Sequence, residues 1–351
     1  MRDVAVVAFA QAPSIRKEPE RNEVEILMPV VKDVLDSVGL TKDDIGFTCS
    51  GTSDFLAGQP FSFVSALDAV GAWPPIVESH VEMDGAWALY EAWVRLQHGD
   101  VDTALVYAVG KSSMGDLLDV LCLQLDPYVL TPLWPDSIGL AALQARAYLE
   151  KTGRSERDLA DVAARSRSNA KSNPSAQISG DFVAADLLKE PYIASPLRKH
   201  DCPPISDGAS AVVLAVGDRA KELRGRPAWI RGIDHRIEAH SLGARDLTHS
   251  ASTKLAGERA GVNEKPVDVA ELHAPFTHQE LILRSALSLG DDVTVNPSGG
   301  ALSANPVMVA GLTRIGEAAQ RVVSGEAKRA VAHATSGPCL QQNLVCVLEG
   351  E

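Results

Sequence analysis
Paired cysteines, basic runs and long apolar stretches are all missing from this 351-residue chain. Cys49, Cys122, Cys202, Cys339 and Cys346 are scattered, with no CxxC pair and no metal-ligand spacing. Neither a disulfide framework nor a metal site is expected. The odd count suits a reducing cytoplasm. So does a start in which Met1-Arg2-Asp3 leads directly into the apolar Val4–Phe9 with no signal peptide. No apolar run approaches the roughly 20 residues that a bilayer crossing requires, so no membrane is expected. The formal net charge is −13 and the pI about 5.2, which speaks against a nucleic-acid partner. Two catalytic signatures are also incomplete. Gly110-Lys111-Ser112-Ser113 ends like a phosphate loop, but the first glycine of that motif would fall at Leu105. No Gly-x-Ser-x-Gly elbow exists. Trp73, Trp87, Trp93, Trp134 and Trp229 have no regular spacing and read as core or interface.

What is present is a repeated alternation of buried strands and amphipathic helices. With 45% hydrophobic residues the chain can bury a large core, in one big domain or two fused ones. Val4–Phe9 reads as a central strand. Asn22 caps a helix that Gly39 closes and that Pro29 is expected to kink. Strands at Ile45–Cys49 and Thr103–Val109 flank an apolar helix over Asp84–Gln97. The second half repeats the pattern. Strands are expected at Ala228–Asp234, Val267–Leu272, Arg329–Thr335 and Leu344–Leu348, and helices at Ser250–Ala260, His278–Leu289 and Met308–Val323. Gly99–Gly110 matches Gly325–Ala334: each is a glycine, a polar link and a buried strand, following an amphipathic helix. Residues 111–205, rich in proline, serine and charge, interrupt the rhythm, with helical stretches near 137–150 and 156–171. It resumes at Ala209–Val216. The expected architecture is α/β, a duplicated layered sandwich. Its N-terminal half covers 1–218, with a loop domain inserted at about 111–205, and its C-terminal half covers 219–351.

The most informative stretch is Asn296-Pro297-Ser298-Gly299-Gly300-Ala301-Leu302-Ser303-Ala304-Asn305-Pro306. A strand end runs into a Gly-Gly turn and then toward an expected helix start, where backbone N–H groups favour negative charge. Three further runs accompany it: Ser206-Asp207-Gly208-Ala209-Ser210-Ala211, Glu271-Leu272-His273-Ala274-Pro275-Phe276-Thr277 and Gly337-Pro338-Cys339-Leu340-Gln341-Gln342-Asn343. With the duplication, these resemble the thiolase superfamily over essentially the whole chain. The similarity is greatest to sterol-carrier-type thiolases and the actinobacterial lipid-transfer proteins of steroid catabolism. The resemblance implies a layered αβαβα thiolase fold and no bound cofactor, with a coenzyme A thioester as substrate. It also implies a homo- or heterodimer with a thiolase-like protein. Lipid-transfer relatives often bind a small partner with a zinc ribbon and an OB-fold.

Against that family the reaction centres are altered. Anchoring on Gly85 sets Glu82 where thiolases carry a nucleophilic cysteine, and a carboxylate cannot usefully hold the acyl group. Glu82 reads as a general base or pocket lining or, with Asp84, as a charge favouring a helix start. Asn305 stands at or beside the family's catalytic histidine. Its amide can donate to an oxyanion but cannot transfer a proton at neutral pH. Cys339 lies roughly two residues from the second cysteine's place, and reads more as an inert thiol than as an acid/base. His273 occupies the place of the asparagine in the family's Asn-Glu-Ala-Phe motif. It reads either as a structural hydrogen-bonding histidine or as a group that polarises a thioester carbonyl or relays a proton. Its position at a strand's C-terminal end favours the second. Asp84, Gly299, Gly300, Arg165 and Arg167 complete the expected substrate-binding set. The two arginines rest on a charge argument: residues 151–200 hold nine Lys/Arg and six Asp/Glu, which reads as a solvated helical surface or as a site for coenzyme A phosphates.

Two functions follow from this pattern. One is a carbon–carbon lyase performing retro-aldol cleavage of a steroid side-chain β-hydroxyacyl-CoA, a reaction that needs no covalent nucleophile. The other is a non-catalytic subunit that shapes an active thiolase-like paralogue. Thiolysis through Cys339 fits the residues less well, and lipid carriage rests on family naming alone.

Overall fold
The computed structural model describes residues 1–350. Strand β1 (Val4–Gln11) is followed by α1 (Glu23–Asp36), where Asn22 and Glu25 form a capping box and the helix continues through Pro29. Next come β2 (Phe47–Gly51), the single turn α2 (Asp54–Ala57), α3 (Phe63–Val70), β3 (Glu78–Val81), α4 (Gly85–Gln97) and β4 (Thr103–Lys111). The intervening segment holds α5 (Leu117–Leu123), α6 (Ser137–Thr152), α7 (Glu156–Asn169), α8 (Ala184–Leu187) and the small pair β5 (Tyr192–Ala194) and β6 (Leu197–Arg198). Then follow β7 (Asp207–Val216), α9 (Gly217–Leu223), β8 (Ala228–Ile237), α10 (Ala251–Ala260), β9 (Val269–Leu272), α11 (Thr277–Ala286), β10 (Thr294–Val295), α12 (Ala310–Ser324), β11 (Arg329–Ser336) and β12 (Gln342–Glu349).

The sheet repeats its own topology. Among the described residues the main strands run β10-β9-β11-β12-β8-β1-β7-β4-β2-β3. Read outward from the centre, β1-β7-β4-β2-β3 and β8-β12-β11-β9-β10 each make two antiparallel pairings and then two parallel ones. The halves join where β1 pairs with β8, at Ala5–Trp229 and Val6–Ala228. Three large apolar clusters give the layers. One packs α1 and α3 on the first half-sheet, one buries α4 and α12 between the half-sheets, and one packs α10 and α11 on the second half-sheet with α6 and α7 beside them. This is the layered sandwich expected of a duplicated α/β chain.

The two central helices start at the same point. Asp84 caps α4 by accepting from Ala86 N–H (2.9 Å), and it also accepts from Gly311 N–H (2.9 Å) and Leu312 N–H (3.0 Å) in the first turn of α12. Gly85 N–H returns a bond to the Met308 carbonyl at 2.9 Å. Glycine is required at 85 because an added Cβ would lie 2.9 Å from both Ala108 Cβ and Leu312 Cδ2.

One local expectation fails. No helix begins directly after the Gly-Gly turn. Residues 301–303 form turns, Pro306 bridges to Ser206, and α12 starts only at Ala310, two residues after Met308 takes a φ of 70°. Prolines at 297 and 306 and the left-handed Asn296 (φ 49°) hold this stretch in an irregular path.

Candidate active site
A cavity of about 690 Å³ opens where the C-terminal ends of β9 and β11 meet the inserted segment. Leu117, Leu118 and Leu121 of α5, Ile138 and Leu140 of α6, and Phe276 make its walls apolar. His273, Asn305 and Cys339 all line it, so the fold brings together three residues distant in sequence.

His273 follows β9 and is 7% exposed. Thr335 N–H points at its Nδ1 (3.4 Å), which makes Nδ1 the acceptor and leaves the ring proton on Nε2. Nε2–H donates to Oδ1 of Asn305 at 3.1 Å. Burial pushes the His273 pKa down to about 4, outweighing the opposing effect of the Asn305 bond, while the Arg314 charge adds to the depression. The imidazole is therefore neutral at pH 7. It is a hydrogen-bond donor on the side facing Asn305.

Asn305 is held by its backbone. Its N–H donates to Ser206 Oγ (3.0 Å), and Ser206 donates to Gln177 Oε1 (2.7 Å). With Oδ1 taken by His273, Nδ2 has no acceptor among the described residues and is available to a ligand. Glycine at 110 lets this strand of chain approach: a Cβ there would sit 2.2 Å from the Val307 carbonyl. That close approach, rather than phosphate binding, accounts for the glycine in the incomplete Gly-Lys-Ser run. Ser206, Gln177 and Thr335 support the site, although the sequence alone does not mark them as site residues. Ser206 lies in the Ser-Asp-Gly-Ala-Ser-Ala run, whereas Thr335 acts through its backbone N–H, which no side-chain pattern reveals.

Cys339 is 8% exposed, with Sγ directed at the Leu140 carbonyl (3.6 Å) and φ at 54°. Burial raises its pKa to about 11 despite nearby Arg245, so the thiol stays protonated. Asp84 also lines the cavity, but both its oxygens are engaged by the three backbone donors of the helix clasp. Arg167 lines the cavity as well.

Four expected site residues lie elsewhere. Glu82 is exposed just beyond β3 and does not line the cavity. Arg165 turns away to pair with buried Glu280, which also accepts from Asn296 Nδ2 at 2.9 Å. Gly299 packs against α7 and the turn after it: a Cβ there would meet Ala170 Cβ at 2.6 Å. Gly300 borders only a separate space of about 10 Å³, beside Ser298 and Arg314. The Gly-Gly turn thus serves contact between the inserted segment and the second half rather than the wall of the large cavity. Among the described residues no cluster of His, Cys, Asp and Glu is arranged to hold a metal, and no helix is long and apolar enough to cross a membrane.

No family model matches the chain. Benzoylsuccinyl-CoA thiolase subunit BbsB of Thauera aromatica is 28% identical, over 58% of this chain and 61% of that protein. Acetyl-CoA acetyltransferase of Methanothermobacter thermautotrophicus is 27% identical, over 96% of this chain and 95% of the enzyme. The 17-hydroxy-3-oxo-4-pregnene-20-carboxyl-CoA lyase of Mycobacterium tuberculosis is 24% identical, over 64% of this chain and 61% of the lyase. The matches thus span about three fifths of BbsB and of the lyase, and nearly all of the acetyltransferase. Among solved structures, the Ltp2-ChsH2(DUF35) aldolase superposes with a TM-score of 0.84 at 20% identity, covering 99% of this chain and 97% of that one. Bacillus anthracis acetyl-CoA acetyltransferase gives 0.80 at 15% identity, covering 100% and 99%. The fold is the thiolase fold. The relatives to which the chain is similar are thiolase-like proteins.

Proposed function
We propose that this chain is a subunit of an acyl-CoA carbon–carbon lyase that cleaves a β-hydroxyacyl-CoA by retro-aldol reaction. The observation that carries this reading is the neutral His273–Asn305 pair on the wall of a large apolar cavity whose only thiols are held protonated. In the reaction a base removes the β-hydroxyl proton and the Cα–Cβ bond breaks. The electron pair moves onto Cα as a thioester enolate, and the proton is returned to Cα. The products are a ketone or aldehyde and a shorter acyl-CoA. In this reading Asn305 Nδ2 donates to the enolate oxygen, and His273 Nε2–H holds Asn305 Oδ1 so that the amide turns its N–H toward the ligand. A neutral imidazole suits this positioning role, since its one ring proton stays on the nitrogen that faces Asn305.

The cavity and the relatives support a substrate class. Apolar walls fit a bulky, ring-containing acyl group such as a steroid side chain, and the lyase relative acts on a 17-hydroxy-pregnene-20-carboxyl-CoA. The base comes from outside this cavity lining. Among the described lining residues Asp84 is the only carboxylate, and the helix N-termini occupy it. That observation favours a heteromeric assembly, in which a second chain completes the site; the structural neighbour is itself an Ltp2-ChsH2 complex.

The test is to assay the chain alone and co-expressed with candidate thiolase-like and DUF35-type partner proteins, following shorter acyl-CoA by mass spectrometry. Turnover of a β-hydroxyacyl-CoA in the complex, lost in His273→Ala, supports the reading. Unchanged turnover in His273→Ala sinks the assignment of His273. A covalent acyl-cysteine trapped during turnover would restore a thiolase.

A further inference from the structure
Arginine keeps its charge at any depth, because the guanidinium does not lose its proton in proteins. Buried arginines therefore carry carboxylates or carbonyls against them. Arg314, Arg198 and Arg329 obey this, bonding Glu271 and Ser298, Glu156 and the Glu190 carbonyl, and Glu349 and the Gly261 carbonyl. Arg167 does not. It is 7% exposed, its Nε is buried with no partner, and among the described residues its guanidinium makes no hydrogen bond or ion pair. Its specific contact is with the Phe182 ring, 5.1 Å from the guanidinium carbon to the centroid. Glu190 and Asp201 reach it only at a distance, and both face His200 at 3.4 Å.

Arg167 instead lines the large cavity. The other cations on that lining, Arg16 and Lys199, are exposed at its rim, so Arg167 is the deep one. Its backbone is tied to the reacting end. The Arg167 carbonyl accepts from Gly180 N–H at 3.1 Å, and the same short segment sends Gln177 to Ser206, which holds Asn305. A Cβ on Gly180 would lie 3.2 Å from the Phe182 ring, so the segment also seats the ring that backs the guanidinium.

We infer that Arg167 anchors an anionic group on the acyl part of the ligand: the cavity takes an acyl-CoA that carries a carboxylate of its own, remote from the thioester. A carboxylate gives the planar fork two parallel acceptors, while Phe182 holds its back face. This rests on the reading that the cavity takes acyl-CoA. The coenzyme's phosphates are the other source of negative charge, and the exposed Arg16 and Lys199 at the rim are the cations placed for them.

Isothermal titration with hexanoyl-CoA and adipoyl-CoA, equal in chain length and differing in the terminal carboxylate, tests this. Wild type is expected to bind adipoyl-CoA roughly tenfold or more tightly than hexanoyl-CoA. Arg167→Met should abolish that preference and leave hexanoyl-CoA binding in place, with Tm equal to or above wild type because a buried unpaired charge is gone. Arg167→Gln serves if the Met variant does not fold. Equal affinities in wild type overturn the inference. An equal loss for both ligands in the variant also overturns it, and moves Arg167 to the coenzyme. If neither thioester binds wild type, the acyl-CoA reading of the cavity fails and adipate alone decides the subsite by thermal shift. A rise in Tm for wild type that Arg167→Met lacks upholds the anion site, and no rise overturns it.

Discussion

His273 meets Asn305 because a backbone N–H from β11 fixes which ring nitrogen carries the proton. Loss of the donor in His273→Ala should lower turnover of the assembled lyase by roughly 100- to 1000-fold, with the fold retained; steady-state kinetics and far-UV circular dichroism check both halves of that statement. Cys339→Ala should leave turnover within a few-fold of wild type, because a thiol pushed up to about 11 is neither nucleophile nor base at pH 7. The pH dependence of stability has a definite sign. His273, His278 and His333 have folded pKa values of about 4, 3 and 3 against an ordinary 6.5, each driven first by burial. The folded state thus prefers the neutral rings. Their contribution is complete above about pH 6.5 and is lost as pH falls toward 4 and then 3. For His273 alone it is on the order of 3 kcal/mol. Urea midpoints measured from pH 7 to 4 should fall steeply, and less steeply in His333→Gln. At this scale the residue types were readable and their geometry was not. Position relative to a strand end marked out His273 and Asn305. Whether Glu82 or Arg165 reached the cavity depended on side-chain direction and on a buried carboxylate, Glu280, more than a hundred residues away.

At the scale of elements, the clasp at Asp84 links the starts of α4 and α12. Asp84→Ala removes the acceptor of three buried backbone donors and should cost roughly 3 kcal/mol by chemical denaturation, with Asp84→Asn costing less. Burial raises the Asp84 pKa despite those donors, so ionising it costs the folded state stability, and the clasp stabilises through its hydrogen bonds rather than its charge. The long, strongly patterned elements were legible beforehand. β1, α1, α4, β7, α10 and β11 lie within a few residues of where periodicity and capping set them. The short edge strands β3 and β10 were not. Four and two residues with mixed exposure carry no alternation to read, and they exist because a neighbouring strand pairs with them.

For the whole molecule, the two half-sheets repeat one strand order. In the sequence this shows as a repeated alternation of strands and helices with one clear internal match, Gly99–Gly110 with Gly325–Ala334, because duplicated folds preserve buried patterns and lose identities. The free edge at β3 lies at the end of the first half-sheet, and the first half exposes Phe55, Phe61, Val64, Trp73 and Val77. A sheet edge in a half with so many exposed apolar side chains calls for a partner. We expect a dimer through this edge in sedimentation velocity, and Val77→Asp should shift it to monomer. Residues 111–205, by contrast, pack on the second half-sheet while belonging to the first half in sequence, and they carry much of the cavity wall.

Two repeated halves invite a picture of a hinge, with a ligand gripped between moving lobes. Asp84 opposes that motion. One buried carboxylate is the common origin of both central helices, so tilting either half against the other would strip two backbone donors of α12, Gly311 and Leu312 N–H, of their acceptor. What varies from one ligand to another must then be read by the inserted segment, whose α5 and α6 supply much of the cavity wall, while the paired helices give it a fixed floor.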